Sequence, residues 1–251
     1  MWIARYQAYL RRWGSNLWTY LSSLKEANRI QTRTDFSQSR KPVLLLYGFG
    51  ATRRSVAILE ARLRRDGFDV FSLRLGGFLG RFNTHHIDTL AQYVAGRIED
   101  LYARYPLPRM AIIGYSKGGL IGRYYLTQLN GDKRIHTLIT LATPHQGHPA
   151  GWFGAASRGL RQMAPNSMLM KKMQAAALPA SVYIASIFSE DDRVCPPRYS
   201  RLVTADDRAV NVSLQHLGHS DFVIKRTAYD AILKELNTGF QKSDPGSTLD
   251  M

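Results

Sequence analysis

The residues Met110–Gly119 read MAIIGYSKGG, and within them Gly114-Tyr115-Ser116-Lys117-Gly118 has the spacing G-x-S-x-G. An apolar run precedes the serine and a helix-forming run follows it, so a sharp strand-to-helix turn is expected at Ser116. Such a turn strains the serine backbone and exposes its hydroxyl. The strand and the helix then pass too close for side chains two residues before and after the serine, which accounts for the two glycines. A serine hydroxyl is a poor nucleophile at neutral pH. It needs a base, and the base needs a carboxylate to orient it. The chemistry in prospect is acyl transfer through a covalent intermediate.

Where this turn is used, the chain order is nucleophile, then acid, then histidine. A late strand, Ser181–Phe188, runs into Ser189-Glu190-Asp191-Asp192-Arg193-Val194-Cys195-Pro196-Pro197. Three carboxylates compete there. Asp192 is favoured, because the following Val-x-Pro resembles the D-x-V-x-P turn of many hydrolases; Asp191 and Glu190 remain alternatives. A further strand, Ala209–Ser213, leads into Leu214-Gln215-His216-Leu217-Gly218-His219-Ser220. His219 follows a glycine and opens the last helix, the usual place for the base, and His216 is the second candidate. His85, His86, His136 and His148 have no motif support and are expected at the surface or in structural roles. Negative charge building on a carbonyl oxygen also needs preorganised N–H groups. One donor is the amide of Lys117. The other is expected from Tyr47-Gly48-Phe49-Gly50, at the Phe49 amide, with Gly48 letting the chain turn toward the nucleophile. The Lys117 side chain is read as a solvated lysine at a helix start, with assistance to anionic substrates as the alternative.

The elements that must position these groups alternate along the chain. Strands are expected at Pro42–Tyr47, Val70–Leu73, Met110–Gly114 and Thr137–Leu141, besides the two late ones. Helices are expected at Arg54–Arg65, Ile87–Tyr105, Gly119–Leu129 and Phe222–Leu236. Short apolar strands alternating with helices imply an α/β fold, a mostly parallel sheet of about six strands covered on both faces. Residues 148–179 are irregular and rich in Gly and Met. Residues 1–41 form a separate segment: Trp2, Tyr6, Leu10, Trp13, Leu17, Leu21 and Leu24 recur at helical spacing, and residues 31–41 read as a polar linker. The body is expected over residues 42–237, and residues 238–251 read as a flexible tail.

The chain has 251 residues, enough for one domain with a sizeable core. Its net charge of +15, of which +6 lies in residues 1–41, favours anionic surfaces. The single cysteine, Cys195, excludes an intrachain disulfide and a multi-cysteine zinc site. Arg5, Arg11 and Arg12 break every candidate signal-peptide core, so a cytoplasmic protein, soluble or peripheral, is expected. The basic face of residues 1–30 suits peripheral contact with an anionic membrane, with docking on the body or on a partner as alternatives. Charge alone suggests nucleic acid, but no motif of that class is present. The oligomeric state is not legible.

Five segments in order, PVLLLYGFG, GYSKGG, LATPHQG, DRVCPP and GHSDFV, resemble the bacterial lipase and esterase branch of the α/β-hydrolases. The resemblance spans about Pro42 to Leu236. It implies the α/β-hydrolase fold and a carboxylic ester hydrolase acting on lipid-like esters through Ser116, Asp192 and His219, with Phe49 and Lys117 as the oxyanion hole and no cofactor or metal. It makes His145, in Thr143-Pro144-His145-Gln146-Gly147, a scaffold residue. It places a small cap at about residues 148–179, whose Trp152 and Phe153, with Tyr115, are expected to contact substrate. The methionines Met163, Met168, Met170 and Met173 suit an adaptable acyl site or a short helix packed as ordinary core. One departure is Tyr47-Gly48, where such lipases usually carry His-Gly, the histidine being structural. Phospholipase, thioesterase and acyltransferase activities use the same machinery. A non-catalytic protein that binds a lipid or a partner is the competing class, and the full nucleophile–acid–base set argues against it.

Overall fold

The computed structural model describes residues 35–78, 82–151, 157–204 and 209–243. Strands β1 (Pro42–Leu46), β2 (Asp69–Ser72), β5 (Met110–Tyr115), β6 (Ile135–Leu141), β7 (Tyr183–Ser189) and β8 (Val210–Leu214) make one sheet of six in the order β2-β1-β5-β6-β7-β8. Every pairing in it is parallel. The sequences PVLLL, MAIIGY and IHTLITL of β1, β5 and β6 are buried at every position. An apolar run without alternation is what a strand needs when both faces are covered. Two residues each of β3 (Gly77–Phe78) and β4 (Phe82–Asn83) form a separate antiparallel ribbon. Two-residue strands leave no periodic signal, and the sequence gives no warning of them.

Helix α1 (Ala57–Arg65) follows a 3-10 turn at Arg53–Val56. Helices α2 (Ile87–Arg104) and α3 (Lys117–Gln128) pack side by side, and α3 lies on β5 and β6. The cap segment holds α4 (Arg158–Arg161) and α5 (Met168–Ala175), and α6 (Pro197–Ser200) follows β7. Helix α7 (Arg226–Ser243) lies on β6 and β7 and meets α1 where the Tyr229 hydroxyl donates to Asp66 at 2.5 Å.

The observed elements depart from expectation in three places. The polar stretch before β1 is not a free linker over its described part. Phe36 is buried, edge-on to Phe71 at 5.4 Å and to Tyr105 at 6.0 Å. The amides of Arg40 and Lys41 donate to the Asp69 carboxylate at 2.8 and 3.0 Å. One aromatic among ten polar neighbours is enough to dock the segment. The last helix begins after a 3-10 turn at His219–Val223 and runs through Ser243, not to Leu236. Gly239 reads as a stop signal, yet it is where α7 crosses β6 most closely: a Cβ there would lie 2.1 Å from Thr137 Oγ1. Phe240 then packs on His136 at 4.4 Å and on Phe68 at 5.8 Å. Residues 238–243, expected in the tail, are therefore helical. The cap is less irregular than its composition suggests. The Ser167 hydroxyl caps α5 by accepting from the Met170 amide at 3.1 Å, and Met163, Met170 and Met173 are buried as packing residues. Only Met168 among these methionines is exposed. The amphipathic helix expected in residues 1–30 lies outside the described residues.

Phe36→Ala should destabilise the protein by about 3 kcal/mol, the usual cost of emptying a buried aromatic site. Urea denaturation measures this; a loss below about 0.5 kcal/mol, ordinary for a surface change, would mean the segment is not docked.

Candidate active site

The turn at Ser116 is built by convergence of four backbone segments. Ser116 has φ 53° and ψ −122°, in the left-handed half of conformational space. For a residue with a Cβ this costs about 1–3 kcal/mol, and it persists only where the surroundings over-determine it. They do so here. The Ser116 amide donates to the Leu141 carbonyl at 2.8 Å, and its own carbonyl accepts from the Gly119 amide and the Thr143 hydroxyl, each at 3.0 Å. A Cβ on Gly114 would lie 2.5 Å from Gly119 Cα, and one on Gly118 would lie 2.1 Å from the Leu46 carbonyl oxygen. The G-x-S-x-G spacing thus records where β5, β1 and α3 pass closest. A Cβ on Gly119 would meet the Thr143 hydroxyl at 2.1 Å, so the third glycine belongs to the same convergence.

The loop after β7 sorts the three carboxylates. Asp192 is buried; its Oδ1 accepts from the Val194 and Cys195 amides at 2.9 and 3.0 Å, and its Oδ2 lies 2.8 Å from His219 Nδ1. Asp191 instead accepts from the His216 amide at 2.6 Å, and Glu190 from the Ser213 hydroxyl at 2.7 Å. The His216 side chain is 85% exposed, that of His219 only 18%. Tyr115, the residue before Ser116, stacks its ring 5.2 Å from the His219 ring and donates its hydroxyl to the His219 carbonyl at 3.2 Å. Tyr115 therefore braces the histidine. Both its ring and its hydroxyl are engaged with His219. Cys195 is buried, and burial pushes its thiol well above the ordinary range.

Gly48 approaches the nucleophile: a Cβ there would lie 3.1 Å from Ser116 Cβ and 3.5 Å from its Oγ. What this position demands is space; the positive φ of the loop, 64°, falls at Gly50. The loop thus brings Gly48 against Ser116 and the Phe49 ring within 5.5 Å of Lys117 Nζ, at the start of α3. The Tyr47 side chain, in place of the family's histidine, is buried and accepts the Leu75 amide at 2.7 Å.

The Lys117 side chain corrects the sequence reading. It is fully buried, not solvated. Its Nζ donates to Asn83 Oδ1 at 2.9 Å and to the His85 carbonyl, and sits 5.5 Å from the centre of the Phe49 ring. Burial, with no carboxylate partner among the described residues, pushes its ammonium down to about 7. The reading failed because a lysine at a helix start normally has water within reach; the ribbon leaves no pattern in the sequence, and the sequence shows the cap but not that Gly159 packs on this side chain.

His145 is wholly buried, with Nε2 2.9 Å from the Thr140 hydroxyl, and burial holds it neutral. Buried Arg123 of α3 donates to the carbonyls of His145 and Met173 at 3.4 and 2.9 Å, tying the elbow helix to the cap. Nothing in the sequence singles out Arg123. His148 bonds the Val194 carbonyl at 2.7 Å, joining the cap to the Asp192 loop. A groove of about 730 Å³ between α5 and the start of α2, lined by His86, Tyr124, Met168, Leu169 and Lys172 among others, is not lined by Ser116, Asp192 or His219. Trp152 and Phe153 lie outside the described residues. Among the described residues no group of three or more His, Cys, Asp or Glu side chains could hold a metal ion, and no helix is long and apolar enough to cross a membrane.

A family model for the alpha/beta hydrolase fold matches residues 41–166. The chain belongs to the α/β-hydrolase family. Its fold is similar to the mature lipase BlEst2 of Bacillus licheniformis, at a TM-score of 0.65 and 12% identity over 82% of this chain and 96% of that one. It is also similar to lipase B of Aspergillus fumigatus, at a TM-score of 0.69 and 17% identity over 83% of this chain and 55% of that one. In sequence, 100 residues are 29% identical to a GPI inositol-deacylase of Candida albicans, over 40% of this chain and 20% of that protein.

The Lys117 shift carries a pH signature. Its folded value of about 7 lies below the ordinary 10.5, so over that interval the unfolded chain binds a proton that the folded protein releases. Stability from this group rises with pH between the two values and is lost as pH falls toward 7. The melting temperature of wild type relative to Lys117→Met should therefore climb from pH 7 to pH 10; a flat difference would mean the lysine is solvated.

Proposed function

We propose that the protein is a serine carboxylic ester hydrolase that acts on lipid-like esters through an acyl-enzyme intermediate. The observation that carries this is the 2.8 Å pairing of His219 Nδ1 with buried Asp192, braced by the residue preceding a serine held in a strained turn. In this reading Ser116 Oγ attacks the ester carbonyl while His219 Nε2 takes its proton. Asp192 keeps the other ring nitrogen protonated and stabilises the imidazolium. The Phe49 and Lys117 amides donate to the oxyanion. His219 then protonates the departing alcohol. Water, activated by the same histidine, attacks the acyl-enzyme and releases the acid, restoring Ser116. Two backbone donors on Asp192 Oδ1 leave Oδ2 for the histidine, so the carboxylate can hold only one ring orientation.

A second reading narrows the alcohol. The local likeness to a GPI inositol-deacylase favours an acyl group esterified to an inositol-containing lipid. The net charge of +15 and the Trp/Leu face within residues 1–30 support peripheral contact with anionic membrane on the way to such substrates. Deleting residues 1–34 would then abolish sedimentation with anionic liposomes, and unchanged binding would sink that part of the proposal.

The test of the enzyme itself is hydrolysis of p-nitrophenyl esters of graded chain length and of acylated phosphatidylinositol. Ser116→Ala and His219→Ala should each lose about 10⁴-fold or more in kcat, as when a member of a nucleophile–base pair is removed. A folded wild type no faster than Ser116→Ala on every ester would refute the proposal.

A further inference from the structure

Lys117 follows the nucleophile, where the reaction needs only its backbone amide, yet its side chain occupies a costly position. Desolvating an ammonium without a counter-charge is strongly unfavourable. No carboxylate pairs with it among the described residues; the groups it meets are Asn83 Oδ1, the His85 carbonyl and the face of Phe49. Phe49 belongs to the loop proposed to carry the second oxyanion donor, and Asn83 is bonded to that loop.

Asn83 is the grip. Its Nδ2 donates to the Tyr47 carbonyl at 2.8 Å, its backbone amide donates to the Ala51 carbonyl at 3.1 Å, and its carbonyl accepts from the Gly50 amide at 3.0 Å. It thus holds the chain on both sides of Phe49. Asn83 is itself fully buried, and its Oδ1 is held by Lys117 Nζ. The cap closes over this junction. A Cβ on Gly159 would lie 2.9 Å from Lys117 Nζ and 2.2 Å from the His85 carbonyl oxygen. With water displaced, hydrogen bonds there are stronger and more exacting in geometry.

We propose that Lys117 is a positioning residue: through Asn83 its side chain fixes the Phe49 amide relative to Ser116. One residue would then set both halves of the oxyanion hole, its backbone supplying one donor and its amino group holding the loop that supplies the other. The inference rests on the ester-hydrolase reading above. A donor displaced by about 1 Å costs on the order of 10²-fold in rate, so the effect is measurable without contact between Lys117 Nζ and substrate.

The experiment compares wild type, Lys117→Met and Asn83→Asp, with active sites counted by a fluorophosphonate that labels the serine. Methionine keeps the length of the side chain and removes its donors. Aspartate keeps an acceptor for the lysine and removes the donor to Tyr47. On p-nitrophenyl butyrate, kcat per titrated site should fall by about 10²-fold in each variant with KM within about threefold. The inhibition constant of an alkyl trifluoromethyl ketone, which forms an anionic hemiketal on the serine, should rise in step with the loss in kcat/KM. A purely structural lysine would lower the melting temperature and the number of titrated sites, while leaving kcat per site and the ketone affinity near wild type; that result overturns the proposal. If Lys117→Met does not fold, Asn83→Asp decides alone by the same readouts. Failure of the underlying reading is distinct: Ser116→Ala would then remain as active as wild type and the fluorophosphonate would label nothing.

Discussion

The close approach of β5, β1, α3 and the Thr143 segment around Ser116 is the constraint on which the rest of the structure depends. A serine at φ 53° cannot be held by local sequence preference. It is held because Leu141, Gly119 and Thr143 each take a hydrogen bond from it or give one to it, and because glycines remove every side chain that would push the segments apart. The central strands must therefore be buried on both faces, and α3 must start at the sheet edge where the elbow ends. The strained conformation is repaid by burial across the six-stranded sheet, whose central strands contribute an unbroken run of apolar side chains.

Around that centre the polar groups divide into two buried systems. On one side Asp192, satisfied by two amides, orients His219, and Tyr115 presses the ring into place. On the other, Lys117 and Asn83 bind the Gly48–Gly50 loop to the β3–β4 ribbon. Both systems terminate on residues adjacent to Ser116 in the chain. The cap connects them: His148 reaches the Val194 carbonyl beside Asp192, Gly159 lies on Lys117, and Arg123 joins α3 to the end of α5. Rigid backbone donors and a histidine of fixed tautomer are what acyl transfer through a tetrahedral anion requires.

Much of this was legible before any coordinates. The six strands followed from short apolar runs, because a parallel sheet covered on both faces leaves that mark in each strand. The elbow followed from two glycines and a serine, since steric exclusion writes itself directly into residue type; the part of Gly119 emerged only from its approach to Thr143. The preference for Asp192 over Asp191 and Glu190 rested on the Val-x-Pro that follows it, and in the structure that turn delivers two amides to this carboxylate. What escaped has a common cause. Burial of Lys117, the docking of Phe36, the passage of α7 past Gly239 and the role of Arg123 all depend on neighbours distant in sequence. For the first three, local chemistry pointed to solvent, a linker and a helix end, and long-range packing overrode it; for Arg123 local chemistry gave no signal at all. The two-residue ribbon that supplies Asn83 is too short to produce any pattern.

The central claim is that Ser116 is a nucleophile activated by His219. The most direct measurement is covalent labelling of the whole protein with a fluorophosphonate, followed by peptide mapping. The account predicts a single adduct on Ser116, lost in Ser116→Ala and slowed by several orders of magnitude in His219→Ala, with Cys195 and the remaining serines unmodified. An adduct elsewhere, or labelling of Ser116 at an unchanged rate without His219, would contradict it.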